Sequence, residues 1–178
     1  TVGAEERFKK VMIDAGHGGN DSGAIANGLR EKDLTLKLAT LINNHLNNNY
    51  DVETMMTRTS DTTVSLSQRS TMANEWNADI FLSIHINAGG GTGYEDFTYK
   101  SRMVQPPSVE AESKEIQQEI HSEIKEVLAK YNVRDRGSKE ANFHVLRETN
   151  MPSLLTETMF IDNVEDAKLL KNENFIND

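Results

Sequence analysis

Three short apolar runs along the chain have the length and composition of buried strands. Residues 11–13 form the first run and predict a strand from about residue 9 to residue 14. Residues 79–85 are nearly continuously apolar, which is typical of a parallel strand that is covered on both faces. Residues 153–161 form the third run, in which the carboxylate of Glu157 interrupts the apolar positions. We therefore expect a sheet that contains these three segments at the centre of the molecule.

Segments with helical periodicity separate these runs. Aliphatic residues recur at helical spacing in residues 34–46 and predict a helix that starts near Glu31 and ends at a run of asparagines. Ser65 and Gln68 have the spacing of a capping box and predict the start of a second helix. The chain therefore alternates between buried strands and amphipathic helices.

The remaining segments complete this alternation. Residues 108–131 predict a long amphipathic helix whose polar face, including His121, is solvated, and residues 164–170 predict a short last helix. Further strands are predicted at residues 52–57, at residues 94–99 as an edge strand, and at residues 143–146. Residues 132–141 are polar and basic and receive no element.

Strands that alternate with helices predict one α/β domain over residues 1–178, with residues 1–8 as a loose N-terminal segment. Its sheet should be twisted, mostly parallel and of about six strands, with helices on both faces.

Composition and charge narrow the possible functions. Hydrophobic residues make up 37% of the chain and charged residues 26%, as in an ordinary soluble domain. The net charge of −9 disfavours nucleic acid as a partner, and no apolar run is long enough to predict a membrane span. The absence of cysteine excludes disulfides, thiolate zinc ligands and a cysteine nucleophile. The chain starts at Thr1 without a signal peptide, which predicts an excised domain or a processed product.

Two histidines and a carboxylate are candidates for a metal site. His17 follows the first predicted strand between glycines, His85 ends the strand at residues 79–85, and Glu31 opens the first helix. Two histidines and one carboxylate are a common protein ligand set for catalytic zinc. Their spacing matches no local metal motif, so the set would be assembled from three separate elements. The alternative is that both histidines are loop residues and that Glu31 is only a favourable charge at a helix N-terminus.

Glu157 is a candidate for catalysis because burying an unpaired carboxylate is costly. A carboxylate inside an apolar strand therefore needs either a partner or a chemical role. The alternative to catalysis is a structural ion pair with Arg69 or Arg136.

Taken together, the motifs resemble the catalytic domain of the zinc-dependent N-acetylmuramoyl-L-alanine amidases, the autolysin group known as amidase type 3. The resemblance runs in order from about residue 9 to residue 170, so it is highly specific. In one departure, Met159 stands where the family usually has a glycine. The matching segments are residues 14–19, 28–33, 57–58 with Asp61, Leu66 with Arg69, 73–74, 78–88, 136–137, 143–146 and 151–163.

The resemblance implies an activity and roles for these residues. It implies that His17, Glu31 and His85 hold one Zn²⁺ per chain and that Glu157 is the catalytic carboxylate, which moves a proton from water to the leaving amine. The substrate would be peptidoglycan, and the bond cut would be the amide between N-acetylmuramic acid and the L-alanine of the stem peptide. Asp14 is a hypothetical positioning residue for one ligand, or else only a cap of its turn. Two other functions stay open: a zinc peptidase that acts within the stem peptide, and a non-catalytic wall-binding module with structural zinc.

The resemblance also implies where the domain works. We expect a monomer that acts at a bacterial cell wall, either as a secreted enzyme or as a phage lysin delivered to the wall. Because both the domain and the wall are acidic, long-range attraction between them should be poor. We therefore expect a separate cell-wall-binding module in the full-length parent protein.

Overall fold

A six-stranded sheet runs through the computed structural model, which describes residues 7–100 and 106–178. The strand order is β4-β1-β5-β8-β6-β7, and every neighbouring pair is parallel except β8 and β6. The predicted six-stranded, mostly parallel sheet is thus confirmed. A two-stranded hairpin, β2-β3, lies between β1 and the first helix. The strands are β1 Lys10–Ala15, β2 Ile25–Ala26, β3 Leu29–Arg30, β4 Glu53–Met56, β5 Ile80–Asn87, β6 Tyr94–Tyr99, β7 Asp135–Ala141 and β8 Ser153–Phe160.

Helices cover both faces of the sheet, as predicted. Alternate residues of a strand point to opposite faces. Val11 and Ile13 therefore share one apolar cluster with residues of α1 and α3, whereas Met12 between them belongs to a second cluster with residues of α2 and α4. The predicted capping box is present at α2, where Ser65 and Gln68 each accept a backbone N–H of the other. The helices are α1 Glu31–Asn49, α2 Leu66–Trp76, α3 Pro107–Lys130, α4 His144–Arg147, α5 Val164–Leu170 and α6 Glu173–Asn177.

The far side of the sheet differs from the prediction. The strand at residues 94–99, predicted to lie at an edge, is β6 and lies between β8 and β7. The edge strand is instead β7, which forms from the polar, basic segment that had no predicted element. An edge strand has one neighbour and open surroundings, so it does not need the apolar run that marks a buried strand.

Two further predictions on this side were wrong. Residues 143–146 lie mainly in the short helix α4 rather than in a strand. A run of four residues is too short for its period to separate the two possibilities. His121 on α3 is 8% exposed and not solvated, because it packs between carboxylates from β6 and β7.

A β-bulge interrupts the pairing of β5 with β8 directly after Glu157. His85 pairs with Glu157, but Asn87 pairs with Phe160, so β8 contains one extra residue. Met159 lies in this bulge with a φ of 69°, in the left-handed region, and is 1% exposed. Bulges commonly place a glycine in this conformation, which explains in physical terms why glycine suits the position. Met159 therefore has a strained backbone conformation, and its side chain fills buried space.

The predicted loose N-terminal segment is described only in part, since residues 1–6 lie outside the described residues. Arg7 forms an ion pair with Glu115 on α3 at 2.7 Å, and Phe8 packs against the core. Within residues 7–100 and 106–178, every helix is too short or too polar to cross a bilayer.

Candidate metal and catalytic site

The structure brings together the three predicted ligand side chains, which come from separate elements. His17 lies two residues beyond β1, Glu31 is the first residue of α1, and His85 lies in β5. One potential donor atom from each lies within 4.8 Å of the others. Glu31 Oε1 is 3.0 Å from His17 Nε2 and 3.1 Å from His85 Nδ1. Two imidazole nitrogens thus point at a single carboxylate oxygen.

Local backbone geometry makes this convergence possible. His17 has a φ of 63°, which non-glycine residues rarely adopt and which is often found at functional sites. At Gly16, an added Cβ would lie 2.4 Å from the ring of His85. At Gly23, whose φ is 61°, it would lie 2.5 Å from Glu31 Oε2. The glycines therefore allow the three ligands to approach each other closely.

The charges in this group fit a cation. Burial lowers the pKa of His17, but hydrogen bonds to Glu31 and Asp21 outweigh it and raise the pKa to about 9. Burial raises the pKa of Glu31, and the hydrogen bonds from His17 and His85 outweigh that effect and lower it. The carboxylate therefore needs positive charge at the point where the two rings meet it. A divalent cation bound by the three donors would supply that charge, so the residues fit a metal ion.

Asp21 holds the ring of His17 from its other side. Its Oδ2 lies 2.8 Å from His17 Nδ1, so that nitrogen donates a proton and Nε2 is directed toward Glu31. A carboxylate behind a ligating histidine is a recurrent feature of metal sites, where it fixes the tautomer and the ring orientation. Asp21 was not predicted as a site residue, although its position four residues after His17 in a glycine-rich loop was a possible signal.

Asp14 supports the site through the backbone. Its carboxylate is 1% exposed and accepts hydrogen bonds from Thr57, Ser83 and Arg69. Arg69 in turn donates to the backbone carbonyl of His17 at 2.7 Å. The bonds of Asp14 therefore hold the start of the His17 loop, while the imidazole itself is oriented by Asp21.

Glu157 lies beside this group of three side chains. It pairs with His85 in register, and its Oε2 is buried with no hydrogen-bond partner in the part of the chain that the structure describes. Burial, the largest cause, raises the pKa of Glu157 to about 7. The two ion pairs considered as alternatives are not formed, because Arg69 pairs with Asp14 and Arg136 pairs with Glu95.

Comparisons with known proteins show which family this chain resembles. A family model described as N-acetylmuramoyl-L-alanine amidase matches residues 11–178. The N-acetylmuramoyl-L-alanine amidase CwlM of Bacillus licheniformis is 54% identical over 168 residues, which cover 94% of this chain and 62% of that protein. The sporulation-specific N-acetylmuramoyl-L-alanine amidase of Bacillus subtilis (strain 168) is 51% identical with the same coverage of 94% and 62%. The chain thus spans about 62% of the length of these two curated relatives.

Solved structures give the same relationship. The N-acetylmuramoyl-L-alanine amidase from Clostridium difficile 630 superposes with a TM-score of 0.84 at 35% identity, covering 97% of this chain and 90% of that one. The match of sequence and fold extends over nearly the whole chain. The chain therefore belongs to the N-acetylmuramoyl-L-alanine amidase family.

Proposed function

We propose that this domain hydrolyses the amide bond between N-acetylmuramic acid and the L-alanine of the stem peptide in peptidoglycan. One observation carries the proposal. Three donor atoms, from His17, Glu31 and His85, converge at the edge of the sheet beside the half-buried Glu157, whose buried Oε2 has no hydrogen-bond partner among the described residues. Family membership supports the choice of bond.

His17, Glu31 and His85 would hold one zinc ion. Two imidazole nitrogens and one carboxylate oxygen are the donor set of many catalytic zinc sites, in which the fourth position is left to water or substrate. When bound, zinc supplies Lewis acidity that polarises a carbonyl and lowers the pKa of a water molecule. The group of possible donors has three members in the described part of the chain, which favours an open site over a closed structural one.

Glu157 would transfer protons in this reaction. As a carboxylate it accepts a proton from the attacking water, and as an acid it returns that proton to the leaving amine of L-alanine. A pKa near 7 suits both roles, because a proton-transfer group works best when its pKa lies close to the operating pH. His17 and His85 keep their ring positions through Asp21 and the close approach of Gly16, so Glu157 acts beside a fixed set of ligands.

The carboxylate of Glu157 also separates this proposal from one of its two alternatives. A wall-binding module with structural zinc would have no use for Glu157, so its buried Oε2, which has no hydrogen-bond partner among the described residues, counts against that function. A zinc peptidase within the stem peptide would use the same chemistry and is distinguished by its products.

Digestion of purified peptidoglycan by the zinc-loaded domain tests the proposal. We expect new amino termini on alanine and no new reducing sugar ends. New reducing ends would identify a glycosidase, and new amino termini on other residues would identify a peptidase. Either result would overturn the proposal.

The domain would act at a bacterial cell wall, as a secreted monomer or as a phage lysin. Its net charge of −9 gives no attraction to a polyanionic wall, which supports delivery by a separate wall-binding module in the parent protein.

A further inference from the structure

A row of charged side chains crosses the sheet from the candidate metal group toward the edge strand. His85 on β5 pairs with Glu157 on β8, and Glu157 pairs with Glu95 on β6. Residues paired in register share a face of the sheet. The row continues to β7, where Arg136 and Lys139 both bind the carboxylate of Glu95. The two cations therefore lie on the same face of the sheet as Glu157.

Glu95 is held firmly by these partners. Its side chain is 8% exposed and accepts hydrogen bonds from Arg136 Nε at 2.9 Å and from the amide of Asn87 at 2.7 Å, as well as from Lys139. Burial raises the pKa of Glu95, but these hydrogen bonds outweigh it and lower the pKa. Glu95 is thus a carboxylate, and the group formed with Arg136 and Lys139 carries a net charge of +1.

A positive group here contrasts with the chain as a whole, whose net charge is −9. Both cations remain accessible, since the side chain of Arg136 is 24% exposed and that of Lys139 is 40% exposed. Arg136 is also pre-oriented, because its guanidinium carbon lies 4.8 Å from the centre of the Phe160 ring. Its Nε donates to Glu95 and its Nη1 lies 3.5 Å from the backbone oxygen of Thr92. Its Nη2 has no hydrogen bond to another described residue and can donate to a further anion.

We propose that Arg136 and Lys139 bind a free carboxylate of the stem peptide and so set the preference of the enzyme for its substrate. This inference rests on the proposed function. Around the scissile bond the glycan offers no anion, because the lactyl carboxyl is consumed in the amide. The stem peptide does carry free carboxylates, and the nearest is the α-carboxyl of its second residue.

The distance between Glu157 and the two cations matches the position of this carboxylate relative to the scissile amide. Neighbouring strands are about 5 Å apart, so the cations at Glu95 lie about one to two strand spacings, roughly 5–10 Å, from Glu157. An extended peptide advances about 3.3 Å per residue, which places a carboxylate of the second residue in that interval from the scissile amide. Arginine binds a carboxylate through paired N–H donors, which makes it selective for this group over an amide.

Two pairs of small molecules test the inference. The first pair is a muramyl tripeptide whose second residue has its α-carboxyl free and the same compound with that carboxyl amidated. The second pair is the corresponding free peptides, which start at L-alanine and cannot be cleaved at the proposed bond. We expect the wild-type domain to cleave the free acid with a kcat/KM on the order of 10-fold higher, mainly through KM, and to bind its peptide more tightly in calorimetry. Both differences should shrink as the salt concentration rises.

Variants show whether the two cations cause the preference. Arg136→Gln and Lys139→Gln should each bring the free-to-amidated ratio toward 1, and Arg136→Lys should keep part of it because the charge is retained. Lys114→Gln is the matched control. Lys114 lies on α3 at the other face of the sheet, is 41% exposed and pairs with Glu140, so its loss removes the same charge and should leave the ratio unchanged.

The outcomes separate the two proposals. Equal binding of both free peptides by the wild-type domain, or a ratio unchanged in both Arg136→Gln and Lys139→Gln, would overturn the inference. Preferential binding of the acidic peptide without cleavage of either muramyl compound would support the inference and overturn the proposed activity. Thermal unfolding of each variant shows whether loss of a Glu95 partner has disturbed the fold. If it has, the inference is tested with Arg136→Lys, which should keep part of the free-to-amidated ratio.

Discussion

Two groups of histidine and carboxylate side chains lie at different places in the fold and use their residues differently. The convergent cluster consists of His17, His85 and Glu31 at the carboxyl ends of β1 and β5. The bridging cluster consists of His121 with Asp96 and Asp135, between α3 and strands β6 and β7. Each contains the residue types that bind metals, so composition alone does not distinguish them.

The direction of the ring nitrogens separates the two clusters. In the convergent cluster, nitrogens from two rings lie 3.0 and 3.1 Å from one oxygen of Glu31. In the bridging cluster, the two nitrogens of His121 point in different directions, to Asp96 at 2.6 Å and to Asp135 at 3.0 Å. Donors that converge leave a place for a cation, whereas donors that diverge join three elements of the fold. A metal site is therefore recognised by convergence on one point.

The largest expected difference between the clusters is in metal content. The purified domain should contain about one zinc ion per chain, and a chelator should abolish its activity reversibly. His17→Ala and His85→Ala should lower both zinc content and activity to near background, because each removes one of three ligands. His121→Ala should retain zinc. Elemental analysis of the three variants checks this, and loss of zinc in His121→Ala, or full activity of metal-free protein, would contradict it.

A second difference lies in the carboxylate beside the convergent cluster. Glu157→Gln keeps the shape of the side chain but removes the proton acceptor, so turnover should fall on the order of 10²–10⁴-fold while zinc is retained. Glu31→Gln should instead lose zinc, because a neutral amide is a poor ligand. Zinc content, thermal unfolding and turnover should be measured for both. Normal turnover in Glu157→Gln would show that Glu157 is not the base, and loss of zinc would make it a ligand.

The sequence predicted the convergent cluster better than the bridging one, and the reason is physical. His17, Glu31 and His85 follow or begin strongly patterned elements, so their positions at one edge follow from the topology of a parallel sheet. His121 lies on the polar face of an amphipathic helix. The spacing of apolar residues along that helix does not show that an edge strand covers this face. That strand, β7, has the polar composition of a loop. These residues form a strand because they pair with β6, and no local sequence pattern indicates that pairing.

The bridging cluster should contribute to stability rather than to chemistry. Removing the ring in His121→Ala leaves Asp96, which is fully buried, without its closest partner. Loss of one member of a buried ion pair typically costs about 3–5 kcal/mol in the free energy of unfolding. Denaturant unfolding measures this cost. His45→Ala, at an exposed position on α1, is the control and should change stability by less than about 0.5 kcal/mol.

The smallest expected effect concerns acid unfolding. Burial raises the pKa of Asp135, but the N–H of Gly137 and the ring of His121 outweigh it and lower the pKa. A carboxyl whose pKa is lower in the folded state adds stability above its unfolded pKa of about 3.9 and loses it as the pH falls through the folded value. Asp135→Asn should therefore be less stable at pH 7 and should depend less on pH below about 4.

Unfolding midpoints between neutral and acidic pH test this prediction. Asp51→Asn removes the same charge at a fully exposed side chain and serves as the control. An acid transition in Asp135→Asn that matches the wild type would show that Asp135 carries no pH-dependent stability.

The hydrogen bonds of Asp14 also determine when the site can exist during folding. They join residues that are 43, 55 and 69 positions apart in the chain, and Glu157 lies farther still along it. Contacts of such long sequence separation form late, because the entropy of closing large loops must be overcome first. Partly folded chains therefore contain the ligands but not their arrangement. A metal that needs all three ligands binds only the native state. Its binding therefore raises the free energy of unfolding, by about 2.7 kcal/mol when the free metal concentration is 100 times the dissociation constant.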